Sequence, residues 1–497
     1  TEGNQVRDYY VNSFNVFAQD NWQASTKLNL NYGLRYDYTS PMHNGDRNLS
    51  VFDPNVAGGL AVAGSNISNI YQQYWKAVSP RFGFAYQPNQ KSGLVIRGGI
   101  GYYYDTPYLL PFGSIKDNPA GADPVASASV NSFVIVQNQA IFPSLTDALA
   151  GQGVIGLNTA AFNFRQSATT TYNLNVQKSL GGSFLAQLGY VGTVGRHLTS
   201  LQDINQAAQG SAFQSPTCAP QYADAGAGNQ QCSRPYFSQF PTFASINELQ
   251  SNLTSNYNSL QALLRISAWH GLSTQFSYTW SHALDDQTGL VPYTPQNSFD
   301  PKADYGNSDL DTRNTFIGYV IYDVPGSAHG PQWLSHGWQV NSALNFHGGQ
   351  PYTVTASANP SGNGEFNDRA DAVPGISPYA GVSHKIVDGV AQWFNPAAFV
   401  DPPQGQYGTT RRNAYYNPGF SQTDLSVFKN TKFEKLTVQF RVEMFNLFNH
   451  IDLAPVGFPK AGDSSGAIYS TIGAYFAEQG IGPGEPFNTQ FALKLIF

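Results

Sequence analysis

The sequence is short of charge, of sulfur and of long apolar runs. Asp, Glu, Lys and Arg make up 12% of its 497 residues, about half the usual share. The net charge of −6 comes without a basic stripe to neutralise phosphates, which disfavours nucleic acid as a partner. The carboxylates are scattered, so there is no acidic tail either. No apolar run approaches the roughly 18 residues of a membrane-spanning helix. The mean hydropathy is slightly negative, which suits a soluble protein and a barrel with a wet interior equally well. The start, Thr1-Glu2-Gly3, has neither an initiator Met nor a signal segment, and a mature or truncated product is expected. The two cysteines, Cys218 and Cys232, share one polar, Gly-rich segment. They suggest a loop disulfide in an oxidising space, or two unpaired loop thiols.

Aromatic residues and glycine are abundant: 29 Tyr, 33 Phe and 48 Gly. That mixture favours long amphipathic strands over helices. In "KLNLNYGLRYDY" (27–38), Leu28, Leu30, Tyr32, Leu34, Tyr36 and Tyr38 alternate with Lys27, Asn29, Asn31, Gly33, Arg35 and Asp37. A period of two gives a strand with one apolar and one polar face. The pattern returns at 14–22, 78–88, 94–105, 172–180, 184–192, 258–267, 272–280, 338–348, 423–430 and 436–444, and in the closing "FALKLIF". It is weaker at 313–324, where both faces carry apolar residues. About thirteen strands result, many longer than the usual five or six residues and near the roughly nine to eleven that span a bilayer.

Two kinds of connection alternate between them. Tight turns fall at "QAST" (23–26), "NQKSG" (89–93), "GGS" (181–183), "AWHG" (268–271) and "TKFE" (431–434). Long polar loops fall at about 40–76, 107–169, 199–255, 284–310, 350–419 and 448–487. Short turns at one end and long loops at the other are the pattern of an outer-membrane barrel, so the apolar faces are expected to meet lipid. A soluble repeat-rich β protein is the rival fold. Thirteen is odd, whereas bacterial single-chain barrels have even strand counts, and an unpaired edge in lipid is costly. The expectation is the C-terminal part of a larger barrel.

The stretches "FAQDNWQASTKLNLNYGLRYDY", "SPRFGFAYQP", "VIRGGIGYYYD", "YVGTVGRHL", "SNYNSLQALLRISAWHGLSTQFSYTWSHALDD", "WFNPAAF", "TDLSVFKN", "FRVEMFNLFNH" and "FALKLIF" appear in this order. Together they resemble the C-terminal barrel of Oar-like TonB-dependent outer-membrane receptors, which often carry an N-terminal carboxypeptidase-regulatory-like domain. The resemblance implies an all-β transmembrane antiparallel barrel of about 22 strands filled by a plug, with residues 1–497 supplying about the last thirteen strands. It also implies a place in the cell outer membrane and energy-coupled uptake of an unidentified solute bound by external loops. The implied partners are the lipid bilayer, the barrel-assembly machinery and the TonB complex, reached through a plug that this chain lacks. A passive channel or surface adhesion barrel is the alternative, and an outer-membrane enzyme a weaker one.

The polar-face residues Arg35, Asp37, Arg81, Arg97, Asp105, Gln187, Gln261, Arg265, Gln275, Gln439, Arg441 and Glu443 are read as a lumen wall. They serve either a plug or solute, or only as a wet wall whose cross-strand pairs fix register. Phe491, Leu493, Leu495 and Phe497 share a face of the last strand and resemble the C-terminal assembly signal of outer-membrane barrels. Tyr and Trp at "GYYYD" (101–105), "SYTWSH" (277–282) and "NAYYN" (413–417) read as interfacial girdle residues, with stacking on sugars or chelates the alternative. "GDSSG" (462–466) formally fits a nucleophile elbow, but no His follows it and no catalytic site is read there. The 9 His show no metal-ligand spacing. The acidic "NSDLD" (307–311) and "NDRAD" (367–371) offer oxygen ligands for Ca²⁺ but lack EF-hand spacing, and solvated loops are the default reading. No cofactor is expected.

Overall fold

The computed structural model describes residues 8–45, 49–106, 112–113, 115, 118, 154–214, 230–288, 295–326, 331–382, 385–457, 459–462, 466–476 and 482–496. Thirteen long strands follow one another in a single antiparallel path, in chain order without a crossover. We label them β1 (Ser13–Ser25), β2 (Leu28–Thr39), β3 (Val78–Tyr86), β4 (Leu94–Tyr104), β5 (Ala168–Leu180), β6 (Phe184–Asp203) and β7 (Phe243–Trp269). The path continues through β8 (Leu272–Asp285), β9 (Asn314–Asp323), β10 (Trp338–His347), β11 (Phe420–Phe433), β12 (Leu436–Phe445) and β13 (Asn488–Ile496). The alternating pattern has this result because a strand with one apolar face can only be paired so that apolar residues stay together.

The register keeps them together across the whole sheet. Tyr32 opposes Phe82, Phe82 opposes Ile100, and Ile100 opposes Tyr172. Further along, Leu174 opposes Tyr190, Tyr190 opposes Leu260, and Leu260 opposes Trp280. At the far end Val442 opposes Phe491 and Phe440 opposes Leu493. Most of these side chains are exposed, Leu493 at 68% and Leu174 at 50%. So many large apolar side chains left uncovered on one face are what a lipid-facing wall requires and a water-facing one does not tolerate.

Glycine and aromatic residues on this outer face form matched pairs. Gly98 lies opposite Phe84, Gly192 opposite Tyr172 and Gly318 opposite Phe276, and each ring occupies the space a Cβ on its glycine would take. The ring replaces the missing side chain and keeps the band continuous.

The tight turns lie at one end. β1 and β2 are joined through residues 26–27, β5 and β6 through 181–183, β7 and β8 through 270–271, and β11 and β12 through 434–435. His270 and Glu434 sit there at φ 48 and 46, and Gly271 at φ 85, as two-residue turns between twisted strands demand. The fifth expected turn is thus shorter than "TKFE", because β11 carries on to Phe433.

The opposite end is a packed cap. β6 and β7 extend well into the region expected to be the 199–255 loop, pairing as far as Asp203 with Asn247. A strand at Ile155–Ala160, inside the expected 107–169 loop, adds to β7 in parallel from Phe243 to Leu249. The buried apolar clusters lie in this cap. One gathers Met42, Leu49, Ile70, Tyr71, Phe112, Phe164 and Leu249. A second gathers Phe52, Leu157, Phe240, Phe243 and Ile246, and a third Val354, Phe394, Phe399, Leu453 and Ile468. Burial pushes the Tyr71 phenol up to about 12 while it accepts a hydrogen bond from Met42 N at 2.9 Å.

β1 pairs only with β2 and β13 only with β12 among the described residues, so the sheet has two free edges. Both of these strands run from the loop end to the turn end.

Candidate functional site: the polar wall and an outer pocket

The face opposite the apolar band carries the expected polar set. By register Arg35, Asp37, Arg81, Arg97, Gln187, Gln261, Arg265 and Gln275 share it on β2 to β8, and Gln439, Arg441 and Glu443 share it on β12. Asp105 lies one residue beyond β4, its N–H donating to Ser167 O at 3.0 Å. The set does not converge. It is spread along the wall and tied up locally. Arg35 pairs with Asp37 at 2.7 Å, Arg97 donates to Gln177 Oε1 at 2.8 Å, and Arg81 donates to Gln19. Gln439 donates to Asn430 Oδ1 at 2.7 Å, and the Arg441 guanidinium lies 4.6 Å from the centre of the Phe428 ring. Between β1 and β5 the wall forms a trough of about 390 Å³ lined by Asn21, Asn29, Asn31, Arg81, Arg97 and Asn173.

Of the last-strand residues, Phe491, Leu493 and Leu495 face outward together, and Phe497 lies outside the described residues. Tyr278 and Trp280 are exposed on the outer face, as girdle residues would be. "NAYYN" is not in the girdle. Tyr415–Tyr416 pairs with Pro351–Tyr352 inside the cap, where the Tyr416 hydroxyl donates to Asp311 Oδ2 at 3.3 Å. Cys232 is disulfide-bonded, and Cys218 lies outside the described residues. Residues 463–465 of "GDSSG" also lie outside them, and no cluster of metal-ligating side chains occurs among the described residues.

The two acidic loop segments are corrected by the structure, since most of their carboxylates are engaged. Asp311 is fully buried, accepting from Arg313 Nε at 2.6 Å and from Ala283 N at 2.7 Å. Asp309 lies 3.4 Å from Arg412 Nη1 and accepts from Asn413. Asp371 accepts from Thr409 N at 2.8 Å, and Asp368 from Ser361 N at 2.8 Å. Burial holds the Asp368 carboxyl above the usual carboxylate range, and its Oδ1 has no hydrogen-bond partner among the described residues. Asp309 and Leu310 stay exposed, but the rest of these segments is clamped between strand ends, which no local spacing reveals.

Arg412 is the centre of the clamp. Its Nη2 donates to Asp285 O at 2.7 Å and pairs with the Asp285 carboxylate, and its Nε donates to Asp304 O at 2.8 Å. Arg369 pairs with the Asp304 carboxylate and donates through Nε to Thr410 O at 2.8 Å. The β10–β11 loop is thereby bolted to the top of β8 and to the β8–β9 loop. Around these groups opens a pocket of about 380 Å³, lined on the polar side by Gln296, Asp304, Asn367, Arg369, Arg412 and Lys460. Thr353, Thr355 and Ser357 add hydroxyls, and Phe366 adds an exposed ring. Of these residues only Asn367 and Arg369 lie in a stretch the sequence singled out, "NDRAD", and there as part of a solvated loop. The one signal was the rarity of charge itself, since Asp304, Arg369 and Arg412 are loop charges in a chain with few.

A thirteen-strand wall with an uncovered apolar face, turns at one end and a cap at the other sets the context for comparison with known proteins. The family described as "Outer membrane beta barrel domain" matches residues 1–477. The chain belongs to that family. As an outer membrane β-barrel domain it resides in the outer membrane. No curated protein matches it. Among solved structures it is similar to the FrpB iron transporter from Neisseria meningitidis, at 10% identity and TM-score 0.44, covering 98% of this chain and 46% of that one. It is similar to the copper transporter OprC at 11% identity and TM-score 0.44, covering 99% of this chain and 48% of that one. It is likewise similar to the outer membrane transporter YddB from Escherichia coli, at 10% identity and TM-score 0.44, covering 98% and 54%. The chain spans about half the length of the solved proteins it matches.

Proposed function

We propose that the chain is the barrel wall and outer cap of an Oar-like TonB-dependent receptor that captures a solute at its outer face and passes it inward by energy-coupled transport. The observation that supports this best is the pairing of an unclosed wall with a prebuilt outer cap. A barrel closed by this chain alone would join β1 to β13, and these run in the same direction. An odd number of further strands restores antiparallel closure, and about nine would complete a barrel of about 22, the size of plugged outer-membrane transporters. The cap supplies a polar pocket of ligand size over the lumen. The TonB complex would act through a plug contributed by the rest of the protein, and the barrel-assembly machinery would read the outward row Phe491, Leu493 and Leu495.

Sequencing the gene upstream of the codon for Thr1 tests this reading. A TonB box, a plug-sized domain and an odd number of additional alternating strands are expected. A cleavage site close to Thr1 with nothing plug-like before it would remove energy coupling and leave a passive or adhesive barrel.

A further inference from the structure

We infer that the outer pocket is a saccharide site, built to hold a neutral sugar unit by directional hydrogen bonds against an aromatic ring. The inference rests on the reading above of this end of the molecule as the outer, ligand-facing one, and it goes further by naming the ligand chemistry.

Charge decides the class. Arg369, Arg412 and Lys460 bring three positive charges to the pocket. Asp304 faces Arg369, Asp285 and Asp309 both lie against Arg412, and Asp401 accepts from Ser357 N and Oγ at the pocket edge, so carboxylates and cations are interleaved. With the signs interleaved in this way the site presents no concentrated charge of one sign to pull in an anion or a cation. What remains is a dense set of fixed donors and acceptors. The Arg369 side chain is only 9% exposed, and its Nε and Nη1 are engaged by Thr410 O and Asp304. Its Nη2 has no protein partner among the described residues, although it is not sealed from solvent. Asp304 Oδ2 already accepts from Gln296 N at 3.3 Å, so the carboxylate cannot rotate. Thr353 is held by Asn413 N at 2.9 Å, and Thr355 donates to Pro459 O at 3.3 Å. Planar Arg, Asp and Gln groups held this way match the paired hydroxyls of a sugar ring, each of which both donates and accepts.

The ring supplies the other half of the recognition. Phe366 is 62% exposed although it lines the pocket, and it sits at φ 57, a conformation a bulky residue seldom takes. The apolar C–H face of a pyranose covers such a ring while its hydroxyls reach the polar side. A pocket of about 380 Å³ falls within the usual small-ligand range of roughly 300–1,000 Å³.

The test is binding of neutral trisaccharides to the full-length gene product in detergent micelles, by saturation-transfer NMR and calorimetry. Maltotriose, cellotriose, laminaritriose, xylotriose and chitotriose would be compared with trigalacturonate as the anionic control. Saturable binding of at least one neutral trisaccharide is expected, with little change between low and high salt. Phe366→Asn keeps a residue that tolerates the positive φ and removes the ring, and it should weaken binding about tenfold while the barrel stays folded. No saturable binding of any neutral trisaccharide overturns the inference. So does binding confined to trigalacturonate with a steep salt dependence, and so does unaltered binding by Phe366→Asn. Binding without energy-dependent uptake would leave the saccharide site standing and remove the transport reading alone.

Discussion

Gly192 and Asp368 show how single side chains set the tolerance of wall and cap. A Cβ at Gly192 would stand 2.3 Å from the Tyr172 ring, whose hydroxyl shares Asn258 Oδ1 with that of Tyr190. Gly192→Ala should displace the ring and break that pair of hydrogen bonds, at a cost of about 1–3 kcal/mol. A lower temperature for loss of the compact band on a gel would show it, and an unshifted band would refute the steric account. At Asp368 the sign of the effect follows from burial. Its carboxyl titrates above the ordinary value of 3.8, so the folded cap holds the proton more tightly than the unfolded chain does. Its contribution is therefore most favourable below 3.8 and is lost as pH rises through the window above it. Asp368→Asn should equal the parent in protease resistance of the outer loops at acid pH and exceed it increasingly toward neutrality. A difference that stays constant with pH would count against this account.

At the scale of the strand, the two faces of β13 make opposite predictions. Leu493→Arg places a charge on the lipid face, at a cost of about 2–4 kcal/mol if it lies near the midplane. Gln490→Arg falls on the polar face opposite Glu443 and should be accepted. Yields of membrane-inserted protein for the two variants compare them directly, and equal yields would contradict the assignment of faces. This much was legible in the sequence, because period-two alternation is a local property and a one-residue slip would turn every strand inside out. The strand count, the sides of the turns and the shared face of Arg35, Arg81 and Arg97 all follow from it. The upper halves of β6 and β7 were not legible. There both faces are covered by other loops, so Phe243, Ile246 and Leu249 are buried without the alternation that marks a wall strand. The pocket was hidden for a related reason. Asp304, Arg369 and Arg412 come from two loops more than sixty positions apart and meet only through the folded cap, and the girdle reading of "NAYYN" failed on the same long-range packing.

Across the whole molecule, wall and cap are stabilised by different means. The wall relies on hydrogen-bonded pairing within lipid, whereas the cap relies on buried apolar clusters and on buried ion pairs such as Arg234 with Asp203 at 2.9 Å. Arg412→Ala strips Asp285 of its buried partner and frees the β10–β11 loop, a loss of about 3–5 kcal/mol. It should expose the outer loops to protease while leaving the wall strands protected, and simultaneous loss of both would show that cap and wall fold as one unit. The direction of the two edge strands has a further consequence. If one copy of this chain met another edge to edge, β1 of the first would lie beside β13 of the second, and the two would run the same way. Any ring made of two, three or more copies of this wall would therefore contain a parallel seam at every junction. Self-association along the edges cannot yield a uniformly antiparallel pore, so the sheet selects for a dissimilar neighbour, one whose own two edges run opposite to those it meets.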